Sequence, residues 1–211
     1  VRALLDAGAS MDARKTDEPA TALHHAAEAG CLEQVEVLLA AGASVDTPRT
    51  GKKEVYDEMD HVIKTEIVGD GATALLVACE AMSVNVGAAV AMARGDGEVE
   101  PSKAEHVAVV SALLDAGASA TTSRLDGNTA LHLVARVGCT LPVEHLLAAR
   151  ASTSARRHGD GATPLLCVCD AVNESLSTMI YWGQHCGEVH TDKVEHVATV
   201  QALVKGGASV D

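Results

Sequence analysis

Aromatic residues are almost missing from this sequence: one Trp, two Tyr and no Phe in 211 residues, against 37 Ala and 18 Gly. Globular cores usually draw much of their buried area from aromatic rings. A chain that is 47% apolar without them must pack small side chains at close range, which excludes sandwiches and barrels built around aromatic plugs. Basic residues are also scarce, 16 Lys and Arg against 29 Asp and Glu for a net charge of −13. That balance speaks against a nucleic-acid surface, which needs a basic footprint, and for basic partners. Long hydrophobic runs are confined to residues 74–93, which include Glu80, Ser83 and Asn85 and are Ala and Val rather than Leu and Phe. The run reads as a buried helix rather than a membrane span. The sequence opens at Val1 with no basic-then-apolar signal, so its six Cys read as reduced thiols of a cytoplasmic protein.

What is present in quantity is repetition. The phrase AGAS occurs at Ala7–Ser10, Ala41–Ser44 and Ala116–Ser119, with variants at Ala149–Ser152 and Gly206–Ser209, and each follows an apolar helical ending such as VEVLLAAG or VSALLDAG. A second phrase alternates with it: TALHHAAEAG from Thr21, TALLVACEA from Thr73, TALHLVARVG from Thr129 and TPLLCVCDA from Thr163. These linked phrases resemble the ankyrin repeat, whose signature is a DGxTPLHxAA turn and helix followed by VVxLLLxxGA. The resemblance runs the length of the chain in four copies after a leading half. It implies an all-α ankyrin-repeat solenoid of helix-turn-helix units with finger turns.

The spacings divide the copies into two kinds. Gly8 to Gly42 is 34 and Gly117 to Arg150 is 33, whereas Gly42 to Gly117 is 75 and Arg150 to Gly207 is 57. Short and long repeats therefore alternate, and from Asp70 to Asp160 the chain recurs at 90 residues. The expected organisation is 1–15 as the end of a preceding repeat, 16–46 repeat 1, 47–69 a finger insertion, 70–122 long repeat 2, 123–154 repeat 3 and 155–211 long repeat 4. Val1 to Gly8 reads like the ends of the long repeats, which implies a long repeat before it and a chain that is part of a longer array.

In the long repeats the first helix is expected to run on, from Ala74 to about Arg94 and from Pro164 to about Gln184. The return helix then opens on a capping box, Ser102 with Glu105 and Asp192 with Glu195. Elongated helical hairpins follow from that pattern. Alternation over residues 62–68, facing Lys53–Asp57, suggests an extended β-hairpin in the finger insertion, with a surface loop as the alternative.

Cys and His call for a metal check. Cys31 matches Cys139 in repeat position and Cys79 matches Cys169, which is what packing at small buried sites produces. His185, Cys186, His190 and His196 cluster in sequence but lack the paired spacing of a zinc module, so no metal and no cofactor is implied. His24 and His132 fall on the His of the TPLH motif, which the resemblance makes a structural bond across the turn between repeats. The long repeats carry Leu76 and Leu166 there, so that bond should be absent. His106 and His196, each in Glu-His-Val, read as structural or solvated. No nucleophile–base set, phosphate loop or small-molecule substrate site emerges, and the chain does not read as an enzyme.

The resemblance implies a partner-binding concave face made of fingers and first-helix ends. The helix positions are Glu28, Glu80, Arg136 and Asp170, three of them acidic, which suits a basic helix or tail. The finger positions include Glu18, Leu125, Asn128 and Ala162. Met179, Ile180, Tyr181 and Trp182 run together on an elongated hairpin, and four consecutive helical residues cannot all face inward, so Tyr181 and Trp182 are a second candidate contact. The expected function is a non-catalytic protein–protein interaction scaffold. The alternatives are a fixed structural subunit of a large, for instance cytoskeletal, assembly and a targeting or regulatory arm of an enzyme whose catalytic domain lies elsewhere.

Overall fold

The computed structural model describes residues 2–3, 7–14, 19–56, 62–82, 103–182 and 191–209, and only the backbone of 52–56, 62–68, 103, 174–182 and 191–195. Its helices are α1 Ala22–Glu28, α2 Leu32–Ala40, α3 at residues 74–82, α4 Lys103–Asp115, α5 Ala130–Val137, α6 Thr140–Ala148, α7 Pro164–Trp182 and α8 Thr191–Lys205. One antiparallel two-stranded ribbon, β1 Thr50–Tyr56 and β2 Val62–Gly69, stands between α2 and α3. Helices of a pair pack on each other, α1 on α2, α5 on α6, α7 on α8, and the pairs stack in two rows: α2, α4, α6 and α8 in one, α5 and α7 in the other. This is a helical solenoid, in which each unit is stabilised by its neighbours.

Local chemistry starts each short pair in the same way. Thr21 and Thr129 are extended N-caps, and the third helical residue, His24 or His132, accepts the N-cap amide, closing a capping box with imidazole where glutamate is usual. The Ala- and Leu-rich runs that follow are strong helix formers. They end at Gly30 (φ 67°) and Gly138 (φ 75°), where the left-handed turn stops the helix.

Stacking explains the missing aromatics. Every residue of α5 except Arg136 is buried, because neighbouring pairs cover the helix on both sides, and a helix apolar all round has room only for small partners. The largest fully buried side chains are Leu, Met82 and His.

The insertion in the finger is the expected β-hairpin. Lys53 pairs with Glu66 and Val55 with Lys64, with a bulge between Val55 and Tyr56. It is grafted at the neck of a turn that keeps its frame. Arg49 N–H donates to Ala72 O (2.7 Å) and Gly71 N–H to Arg49 O (3.3 Å); Arg157 with Ala162 (3.1 Å) and Gly161 with Arg157 (3.2 Å) repeat the pattern. In one turn residues Thr50 to Asp70 lie inside that frame, in the other only His158 to Asp160. The neck is narrow: a Cβ on Gly69 (φ 93°) would stand 2.1 Å from Arg49 O, so only glycine closes it.

Of the elongated hairpins, α7 runs 19 residues to Trp182, as the sequence suggests. Residues 83–102, on which the expected run of the first helix to about Arg94 and the expected cap Ser102 fall, lie outside the described residues. α8 begins at Thr191, so Asp192 sits inside the first turn and is not the N-cap. Helix boundaries vary by a residue or two with how the ends are assigned.

Candidate partner-binding face

The motif histidines join one repeat to the next. His24 Nε2 lies 3.0 Å from Ala72 O, and its Nδ1 lies 3.1 Å from Thr21 N and 2.8 Å from Thr21 Oγ1. His132 does the same with Ala162 O (3.0 Å) and Thr129. A carbonyl only accepts, so Nε2 carries the proton and Nδ1 is the acceptor. Burial lowers the pKa of both imidazoles from 6.5, which keeps them in this neutral form. Where Leu76 replaces the histidine, the matching Thr73 Oγ1 is buried and has no hydrogen-bond partner among the described residues. The missing bond read from the sequence is thus visible as an orphaned hydroxyl.

A second joint was legible only as the recurring Glu-His-Val. His106 is buried at 1% exposure and His196 at 8%. Each imidazole lies over the glycine that ends the preceding first helix: a Cβ on Gly30 would be 2.8 Å from His106 Cε1, and one on Gly138 2.7 Å from His196 Cε1. His106 Nε2 also reaches Glu28 O at 3.1 Å. Both are structural, not solvated.

Four charged groups lie on the finger side of α3. Arg49 holds Asp70 with two hydrogen bonds (3.0 and 2.7 Å). Arg124 reaches back from the next finger to Asp70 (2.8 Å) and Glu80 (2.6 Å). Burial alone would raise the Asp70 pKa, but the Arg49 hydrogen bonds, the Ala72 amide and the Arg124 charge outweigh it and hold the carboxyl at about 2. The fingers are also tied by backbone, Leu125 N–H to Asp70 O (2.9 Å) and His158 N–H to Asp126 O (2.8 Å).

The expected contact residues therefore divide. Glu28 and Asp170 are exposed, and so is Arg136. Glu80 is already neutralised by Arg124, which reduces the acidic stripe read from the sequence to Glu28 and Asp170. Leu125 is 62% exposed and crowns its finger. Asn128 is spent inside the turn, with its amide groups on Asp126 (2.9 and 2.8 Å) and its carbonyl on Arg124 N. Ala162 is buried at 5% and offers its carbonyl to His132, so it is no surface residue. Glu18 lies outside the described residues, as do the side chains of Tyr181 and Trp182. The structure brings Arg136 and Asp170 to one open depression of about 290 Å³, with Arg157, Cys167, Ala171 and Asn173 completing its wall.

The cysteines follow position as well as type. Cys31 and Cys139 are N-caps of α2 and α6. Cys79 is fully buried, and burial pushes its thiol up to about 12. Its counterpart Cys169 is exposed, against the core reading of the sequence, because no element among the described residues packs over that face of α7. All five described cysteines are free thiols. Among the described residues no group of His, Cys, Asp or Glu could hold a metal, and no helix is long and apolar enough to cross a membrane. His185, Cys186 and His190 lie outside them.

Paired helices stacked in two rows, fingers linked by backbone bonds and imidazoles spanning successive units define a helical repeat protein. The family model for the ankyrin repeat matches residues 20–49 and 126–158, the two short repeats, so the chain is a helical repeat protein carrying ankyrin repeats. No curated protein matches it. Ankyrin repeats generally mediate protein–protein binding.

Proposed function

We propose that the chain is a non-catalytic protein-binding scaffold that receives a partner on its concave face, at the step between α5 and α7. The observation that supports this is the open depression joining Arg136, Asp170 and Asn173, on the side of the stack where the fingers project Leu125 and away from the sealed helix joints. Among the described first-helix positions, Glu28 and Asp170 are the carboxylates not held in an arginine salt bridge, as Glu80 is, so a basic helix or tail suits this side, with Arg136 fixing its register. Charge there governs encounter and choice of partner more than affinity.

The test is capture of partners by the chain and by its Glu28→Lys/Asp170→Lys variant, at low and at high salt. The expected result is a partner set bound by the first, weakened by salt and lost from the variant. Identical capture by both would reject the concave site.

A further inference from the structure

The finger ribbon is built unlike the rest of the chain. β1 lies on β2, and no described helix packs along either strand. The body holds it at the neck, through the Arg49 and Ala72 backbone and through the Arg14 guanidinium, which donates to Thr50 O (2.9 Å). A two-stranded ribbon is marginal in water by itself, and three or more strands are the usual minimum for independent stability. Each strand also keeps one edge on which alternate N–H and C=O groups have no ladder partner among the described residues, the kind of edge that templates pairing with another chain.

The order of residues along β2 singles out its edge. From Val62 to Val68 the strand reads VIKTEIV, the same apolar pattern in both directions about Thr65, with opposite charges on the two sides. Laid antiparallel on a second β2 with Thr65 at the two-fold axis, Val62 meets Val68, Ile63 meets Ile67 and Lys64 meets Glu66, each pair occurring twice by symmetry. Opposite-charge, aliphatic and Thr–Thr pairs are the favourable cross-strand combinations. Moving the axis by one residue sets Lys64 on Lys64 or Glu66 on Glu66, so charge fixes the register. β1 has no such centre: turned about its middle residue, it sets Lys53 on Lys53. The bulge falls at Val55 and Tyr56, and the pairs from Lys64 to Gly69 are regular. The two strands carry three Lys and two Glu in a chain of net charge −13, so the ribbon meets a copy of itself without the like-charge excess of the acidic body.

We propose that β2 is a self-association edge: two copies of the chain join through their β2 strands, antiparallel about Thr65, and the two ribbons become one four-stranded sheet of order β1-β2-β2-β1. The occupant is a second copy because the strand is complementary to itself, in charge and in apolar positions at once. Pairing supplies the strands that a lone ribbon lacks and closes the β2 edge to other chains. The contact belongs to the finger insertion alone and uses neither Glu28 nor Asp170, so it stands or falls apart from the concave face.

Sedimentation velocity over a concentration series should show the chain in a monomer–dimer equilibrium. Lys64→Glu sets Glu on Glu66 of the second copy, and Glu66→Lys sets Lys on its Lys64, so each variant alone should dimerise about tenfold more weakly or worse. An equimolar mixture of the two should associate as a heterodimer, because every charged pair is again opposite in sign. That rescue cannot come from ribbons that have merely unfolded. Register is read by cross-linking with added copper–phenanthroline and peptide mass spectrometry. Thr65→Cys places two thiols directly opposite and should link, whereas Ile67→Cys leaves them four positions, or about 13 Å, apart and should not. A chain that stays monomeric up to about 1 mM leaves the edge to a strand of another protein and overturns the proposal. A mixture no more associated than its single variants, or linkage at position 67 equal to that at 65, also overturns it.

Discussion

Arg124 grips Glu80 at 2.6 Å from the neighbouring repeat, and so removes from the concave face an acid that sequence position alone assigns to a partner. The same guanidinium holds Asp70 at 2.8 Å. Arg124→Ala should cost about 1–2 kcal/mol in urea unfolding, the figure for partly exposed charge-assisted bonds. In partner capture Glu80→Gln should change little, while Glu28→Lys and Asp170→Lys weaken it.

The two motif histidines make stability depend on pH. Their folded pKa values lie below 6.5, so below that pH the unfolded chain takes up protons that the folded chain refuses. This contribution to stability is therefore full above about pH 6.5 and falls as the pH drops from there toward the lowered folded values. Urea midpoints between pH 7.5 and 5 should show the decline. His132→Leu should flatten part of it, at a cost of about 1–3 kcal/mol at pH 7.5, since Thr129 and Ala162 O lose a buried partner.

Thr73 and Thr129 occupy equivalent caps, but only Thr129 has an imidazole to bond. Thr73→Val removes an orphaned buried hydroxyl and should be neutral or stabilising by up to about 1 kcal/mol. Thr129→Val should destabilise by about 1–2 kcal/mol. Thermal unfolding of the two variants, side by side, checks the contrast.

Arg150 has φ 62°, where three other repeats place Gly42, Gly117 and Gly207 at φ 88–92°. The left-handed region costs an L side chain about 1–2 kcal/mol, of which glycine returns part through its unfolded-state freedom. Arg150→Gly should therefore raise stability by about 0.5–1 kcal/mol in the same assay.

Much of the molecule can be read from its residues because a repeat protein is built from local signals. The Thr-x-x-His caps, the glycines after α1 and α5, and the 33- and 90-residue spacings place the short pairs, the finger ribbon and the elongation of α7 in nearly their observed positions. The candidate site is less legible. Glu28, Arg136 and Asp170 are exposed as expected, but Glu80, Asn128 and Ala162 are taken up by partners from other elements, and no motif announces that Arg124 will reach back 44 positions.

The sequence by itself determined which segments are helices, where they stop, and that the core would be small and aliphatic. These properties depend on capping, periodicity and side-chain volume, all of them local. Tertiary structure decided which of two equivalent residues is inside. Cys79 and Cys169 share type, phrase and helix position, yet one is buried with its thiol pushed up to about 12 and the other is exposed. Burial in a stack belongs to the neighbour that arrives on a face, and a residue's own repeat cannot encode it.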